Sequence, residues 1–192
     1  MGILLVYRSN RRNKRVYKKN GEFTVNIALV HKDTPILGIV YAPALHELYW
    51  AKKGQGAFKE VLSFELEVLS KDRLPLTTPK NLKEKITVVA SKSHLSSETK
   101  EFVDSLALNT SHIELISVGS SLKLCMVAEG VADIYPRFAP TMEWDTAAAD
   151  AVVREAGKMT YQFKSDEPVV YNKENLLNPW FIVKSKSNNE ML

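Results

Sequence analysis

The stretch E-W-D-T-A-A-A-D-A-V-V-R-E-A-G, Glu143 to Gly157, decides how the chain is read. Its apolar residues Trp144, Ala147, Ala148, Ala151, Val152 and Ala156 recur at the three-and-four spacing of one buried helical stripe, and Gly157 supplies a C-terminal stop. A helix is therefore predicted over 144–156. Thr141 or Asp145 would stand at its start, where a short oxygen-bearing side chain accepts from free N–H groups and the helix dipole favours an anion. Asp145 then has two readings. It is a plain first-turn acid, or a carboxylate that helps hold a metal ion or a phosphate in a groove walled by Trp144 and the alanine run.

Outward from this helix, strands and helices alternate. Ile86 to Ala90 reads as a strand, Ser96 or Ser97 caps a helix ending near Leu108, Ile113 to Val118 is a strand, and Ser120 or Ser121 caps a helix running to Gly130. Ala132 to Phe138 precedes the quoted helix, and Lys158 to Phe163 and Phe181 to Lys184 follow it as strands. Such alternation implies an α/β layer with substantial parallel pairing. Before residue 80 the pattern differs. Phe23, Val25, Ile27 and Leu29 alternate with Thr24, Asn26 and Ala28, then H-K-D-T-P makes a turn. Ile36 to Tyr41, Glu47 to Ala51, Ala57-Phe58 and Ser63 to Leu69 continue as an antiparallel meander. Pro75 and Pro79 flank Thr77-Thr78 as a linker. The expected organisation is a basic arm over 1–19, a meander over 20–79, an α/β unit over 80–185 with a mixed, largely parallel sheet, and a frayed tail over 186–192.

The 192 residues, 45% of them hydrophobic, suffice for a real core. No apolar run approaches the roughly 20 residues of a membrane span, and Met1 to Tyr7 is too short for a signal peptide, with basic residues on the wrong side. The single cysteine, Cys125, excludes an internal disulfide or a cysteine zinc cluster; between Leu124 and Met126 it reads as a small buried hydrophobe, which fits a cytoplasmic protein. The net charge of +4 is unevenly placed. Seven of the 26 Lys and Arg fall in the first twenty residues, which hold no acid, leaving 19 bases against 22 acids elsewhere. Such an arm suits a nucleic acid or membrane surface, or is a solvated tail.

In α/β layers ligands gather where strands end and helices begin. Three junctions here carry suitable groups: S-K-S-H ending in His94, V-G-S-S-L-K with Gly119, Ser120, Ser121 and Lys123, and Arg137 after the Ala132 strand. Together on one edge they would suit a phosphorylated ligand, through N–H donors and charge-assisted bonds. Separately they are a cap, two solvated bases and a surface histidine.

Several segments carry a family resemblance. N-G-E-F-T-V-N-I-A-L from Asn20, P-I-L-G-I-V-Y-A-P from Pro35, V-G-S-S-L-K-L-C-M-V-A-E-G from Val118, D-I-Y-P-R-F from Asp133 and W-D-T-A-A-A-D from Trp144 resemble the bacterial 3'(2'),5'-bisphosphate nucleotidases of the CysQ type. These belong to the inositol monophosphatase superfamily of magnesium-dependent phosphatases, and the resemblance runs from about Val16 to Val183. It implies an inositol-monophosphatase-like fold, Mg2+ as cofactor, and Asp145 as a ligand of that ion and a substrate contact. His94, Ser120, Lys123 and Arg137 match positions that touch the nucleotide and its second phosphate. Inositol phosphatases generally carry a Glu where Arg137 stands and lack a lysine at Lys123; Arg and Lys suit a further phosphate, a carboxylate suits sugar hydroxyls. The implied substrate is a small nucleotide bisphosphate, with adenosine 3',5'-bisphosphate going to AMP and phosphate. No specific nucleic-acid partner is expected. The resemblance places such enzymes in the cytoplasm or peripherally at the inner membrane.

One departure is large. The family reads D-P-(I/L)-D-G-T-K-E-F before the stretch matching N-G-E-F-T-V-N, whereas this chain has R-S-N-R-R-N-K-R-V from Arg8, with Arg11 and Arg12 where an Asp and a Gly belong. The same nucleotides read one base later can encode D-P-I-D-G-T-K-E. The expectation is a frameshifted product lacking the family's N-terminal helical portion and its metal-binding Glu, hence inactive, with an arm that has no evolved role. Two alternatives stand beside it: an inositol-phosphatase-like enzyme, and a non-catalytic nucleotide- or nucleic-acid-binding fragment using Arg8 to Lys19.

Overall fold

The computed structural model describes residues 3–8, 21–77, 81–90 and 96–186. Six strands form one antiparallel meander in chain order: β1 (Ile3–Arg8), β2 (Val25–His31), β3 (Thr34–Ala42), β4 (Glu47–Lys52), β5 (Gly56–Leu62) and β6 (Val68–Arg73). Part of the basic arm is thus a strand, with Ile3 opposite His31 and Arg8 opposite Asn26. The rest of the arm, including Arg11 and Arg12, lies outside the described residues, as does the tail from Ser187.

One expected strand is displaced. Ser63 to Glu67 forms a turn rather than the start of a strand: the Ser63 hydroxyl accepts from the Glu65 and Glu67 N–H groups, Ser63 N donates to Glu67 O at 2.8 Å, and Leu66 takes φ 64°. β6 begins only at Val68.

The alternation in β2 is real, but its buried face is the polar and small one. Thr24, Asn26, Ala28 and Val30 are buried, while Phe23, Val25, Ile27 and Leu29 are half-buried. Side chains two apart share a face, and the cross-strand register explains which face won. Ala28 pairs with Gly38, Gly38 with Ala51, and Ala51 with Ala57, so one row of tiny residues crosses four strands. A helix can lie close only over such a row. A Cβ built on Gly38 would overlap the Ala148 carbonyl oxygen and sit 2.8 Å from Ala151 Cβ.

That helix is α3 (Glu143–Glu155), the quoted stretch; α1 spans Ser97–Leu106 and α2 Leu122–Glu129. Ser96 caps α1 by accepting from Thr99 N, and Gly130 ends α2 at φ 84°. The single-stripe expectation for α3 is too narrow. It packs on the meander through β2, β3, β4 and β5 and on β10 (Lys158–Gln162), and Glu143, Thr146, Ala149 and Asp150 are buried too. Asp150 is tolerable there because Thr160 donates to it and Arg154 pairs with it at 2.7 Å. Glu143 is matched by the Asn172 and Lys173 N–H groups and by Lys173 Nζ at 2.6 Å.

The C-terminal layer is mixed as expected, with less parallel pairing than the alternation implied. β7 (Ile86–Ala90) and β8 (Ile113–Ser117) are parallel, and a parallel bridge from Val88 to Ile134 joins β7 to the segment leading into β9 (Tyr135–Arg137). β11 (Phe181–Ser185) is antiparallel to both β9 and β10. The α3 crossover makes β9 and β10 point the same way but leaves a strand's width between them. β11, arriving through non-helical 163–180, fills that gap in the opposite direction.

Two hydrophobic clusters result. The larger joins the meander to α2 and α3 and includes Leu74 beside the proline linker, where Leu76 N donates to Glu129 O at 2.9 Å. The smaller lies under α1 and gathers Ile86, Val88, Leu106, Ile134, Phe138 and Ile182, with Phe102 and Phe163 against it. No helix among the described residues is long and apolar enough to cross a membrane.

Candidate active site

β7, β8 and β9 run parallel, so their C-terminal ends share one edge, and the loops leaving that edge carry the candidate residues. After β8 the chain turns through Gly119, where an added Cβ would lie 2.9 Å from Glu22 Cβ and 3.0 Å from Glu22 Oε2. The absent side chain lets Glu22 close on the turn.

Ser120 follows with φ 55°, and Ser121 stands at the N-cap of α2. Neither hydroxyl caps that helix, against expectation. Ser120 Oγ meets Thr24 Oγ1 at 2.6 Å; Ser121 Oγ donates to Asn26 Oδ1 at 2.7 Å and meets Thr24 Oγ1 at 2.8 Å. Asn26 Nδ2 completes the group on Thr24 Oγ1 at 3.2 Å. Four polar side chains thus join β2 to the start of α2 in a nearly dry setting, where each needs a partner.

Lys123 is no solvated base. Its side chain is buried, and Nζ donates to the Ser120 and Val118 carbonyls at 2.9 and 3.2 Å while lying 5.6 Å from the centre of the Tyr135 ring. It therefore fixes the turn that presents Ser120. Tyr135 and Arg137 stand on the same face of β9, two residues apart. Arg137 Nη2 donates to Pro140 O at 3.3 Å, and Arg137 Nε is buried with no hydrogen-bond partner among the described residues. An orphaned guanidinium N–H is a costly feature unless something else completes it.

Asp145 lies beyond the 138–142 loop. Met142 is the N-cap of α3, so neither Thr141 nor Asp145 takes that place. Asp145 is the third helical residue, and its carboxylate accepts the Met142 N–H at 3.0 Å, the reaching-back half of a capping box. Thr141 instead accepts from Asn178 Nδ2. His94 lies outside the described residues. Ser120 and Lys123 are thus brought together and linked through Tyr135 to the Arg137 strand, with Asp145 at the end of the next loop.

Sequence reading missed Glu22, Thr24 and Asn26. The available signal was the placement of Thr24 and Asn26 on the same strand face as Ala28, a face that alternation by hydropathy sends outward.

A magnesium ion prefers about six oxygen ligands in near-octahedral array. Among the described residues no group of three or more His, Cys, Asp or Glu side chains stands close enough to hold a metal. The first twenty residues contain no acid to add to it. The donors among the described residues do not fit the ion that the resemblance implies.

The model of the inositol monophosphatase family matches residues 17–191. The chain is 42% identical over 171 residues to the 3'(2'),5'-bisphosphate nucleotidase CysQ of Escherichia coli K12, covering 88% of this chain and 63% of that protein. It is 35% identical over 167 residues to the protein of that name from Haemophilus influenzae, of which 58% is covered. The chain thus spans less than two thirds of these relatives. Among solved structures, CysQ from Bacteroides thetaiotaomicron superposes with a TM-score of 0.86 at 47% identity, covering 96% of this chain and 70% of that one. The inositol monophosphatase II of Staphylococcus aureus, solved with inositol monophosphate, shares the fold with a TM-score of 0.74 at 18% identity, covering 99% of this chain and 67% of that one.

Proposed function

We propose that this chain, which belongs to the inositol monophosphatase family, carries the substrate-recognition half of a 3'(2'),5'-bisphosphate nucleotidase. The full reaction hydrolyses adenosine 3',5'-bisphosphate to AMP and phosphate, with metal ions supplying the charge that activates water. The observation that carries this reading is the 42% identity over 171 residues to a nucleotidase of that name. A cytoplasmic setting belongs to the same proposal.

The chain's own residues supply binding. Arg137 offers its unpartnered Nε and a weakly used Nη2, a fork that suits the phosphate not being cleaved. Ser120 is held by Lys123 and Thr24, in the turn on which Glu22 closes at Gly119. Asp145 would join metal to substrate once further carboxylates surround it. With no such carboxylate cluster among the described residues, the chain binds the bisphosphate without hydrolysing it.

Calorimetric titration with adenosine 3',5'-bisphosphate and with AMP tests this, alongside phosphate release. The bisphosphate should bind more tightly, release no phosphate above background, and lose about tenfold to a hundredfold in affinity in Arg137→Glu, the value of one charge-assisted phosphate contact. Equal affinities for the two ligands, unchanged in the variant, would sink the substrate assignment.

A further inference from the structure

A cleft of about 360 Å³ opens on the far side of the C-terminal layer, between α1 and the β10–β11 pair. Its described walls are Phe102 of α1, Tyr161, Gln162 and Phe163 at the end of β10, Ile182 and Lys184 of β11, and the Lys164 to Asp166 turn. None of these residues belongs to the candidate active site. Volumes of this order are typical of small-molecule sites, which combine apolar walls with a few fixed polar groups.

Lys184 gives the cleft its chemistry. It is only 6% exposed and follows Phe181, Ile182 and Val183, all buried, in its strand. Among the described residues its ammonium makes no hydrogen bond or salt bridge; the described contact is the Tyr161 ring, with Nζ 5.3 Å from the ring centre. Burial lowers its pKa, and the Asp166 carboxylate opposes that only from a distance. A cation that has lost water and gained only a ring face leaves hydrogen-bonding capacity unspent. Two rings form the apolar wall beside it: Phe102 and Phe163 stand edge to face at 6.4 Å, and Phe163 also packs near Trp180.

We propose that this cleft is a second ligand site, taking a small planar aromatic monoanion whose ring lies against Phe102 and Phe163 and whose carboxylate or sulfonate meets Lys184 Nζ. The ring supplies contact area that the aromatic walls lack on their open side. The anion supplies the acceptor that the ammonium lacks. Lys164 and Asp166 both line the rim and offset one another, so the single ammonium of Lys184 is matched by one anionic group rather than by a phosphate dianion.

The test uses the whole chain with 2-naphthoate and its neutral relative 2-naphthamide, followed by calorimetry and by the fluorescence of nearby Trp180. Naphthoate should bind at least about tenfold more tightly than naphthamide, as expected of a charge-assisted bond in a partly dry site. Lys184→Met, which keeps the apolar stem, should remove that preference while leaving naphthamide binding in place. Arg137→Glu should leave naphthoate binding unaltered, which separates this site from the proposed nucleotide site. Equal binding of acid and amide by the unaltered chain, absence of binding to millimolar concentration, or a preference that survives Lys184→Met would each overturn the proposal.

Discussion

The two cores of this molecule are built on opposite rules. Between the meander and α3 the contact is made by residues with almost no side chain, Ala28, Gly38, Ala51 and Ala57 below and Ala147, Ala148 and Ala151 above, and its strength comes from backbone lying close to backbone. Beneath α1 the contact is made by large rings: Phe102 meets Phe138 at 5.5 Å, and Phe138 meets Phe163 at 4.3 Å and Trp180 at 5.7 Å. The first core cannot accept atoms, and the second cannot lose them. Close packing is needed in both, but the sign of the tolerated volume change is reversed.

Removing the Phe138 ring should give the largest effect, because the variant Phe138→Ala leaves a cavity that three neighbouring aromatics cannot collapse to fill. A loss of about 3–5 kcal/mol in urea unfolding is expected. The complementary change is Gly38→Ala, one methyl added where the Ala148 carbonyl stands; it should cost about 1–3 kcal/mol by the same measurement. If Gly38→Ala were neutral while Phe138→Ala remained costly, the contrast between the cores would fail on the meander side.

A smaller effect sharpens the comparison by asking what else the first core contains. Tyr49 donates to Glu129 Oε1 at 2.5 Å, with Glu47 Oε2 3.0 Å from the same hydroxyl, and Lys59 bridges the same two carboxylates at 2.8 and 3.3 Å, so a polar knot ties β4 and β5 to α2. Burial, then the nearby Cys125 and Glu129, raises the Tyr49 pKa. For Lys59 burial acts downward, but Glu47 and Glu129 outweigh it and leave its pKa raised. A group whose folded pKa lies above its unfolded one contributes stability that is complete below the unfolded value and lost as pH rises through the folded one. Stability should therefore fall above about pH 10, the ordinary tyrosine and lysine range. Tyr49→Phe should flatten that fall at a cost near neutrality of about 1 kcal/mol for one hydrogen bond. An unaltered alkaline limb would remove the knot from the account.

The same contrast explains what could be read from the sequence. Helix α3, the capped α1, the Gly130 stop and the buried Cys125 follow from periodicity and cap chemistry, which are local. The resemblance in the Val118 and Trp144 segments led to the family. Hydropathy failed on β2 because it assumes that the larger apolar face is inside, whereas helix approach there is limited by volume, not by polarity. Thr24 and Asn26 were overlooked for that reason, since their partners, Ser120 and Ser121, lie more than ninety positions away. The antiparallel insertion of β11 was equally illegible, because it is a matter of which gap a returning strand fills.

The row of tiny residues also acts as a keyway. With the Ala148 carbonyl seated over Gly38 and Ala151 beside it, α3 can neither roll about its axis nor slide along the sheet without driving a larger residue such as Thr146 or Val152 into the floor. Asp145 stands one turn before Ala148 on that same rod. The depth at which its carboxylate meets solvent is therefore machined by a glycine in the middle of a strand, far away in sequence and with no chemistry of its own.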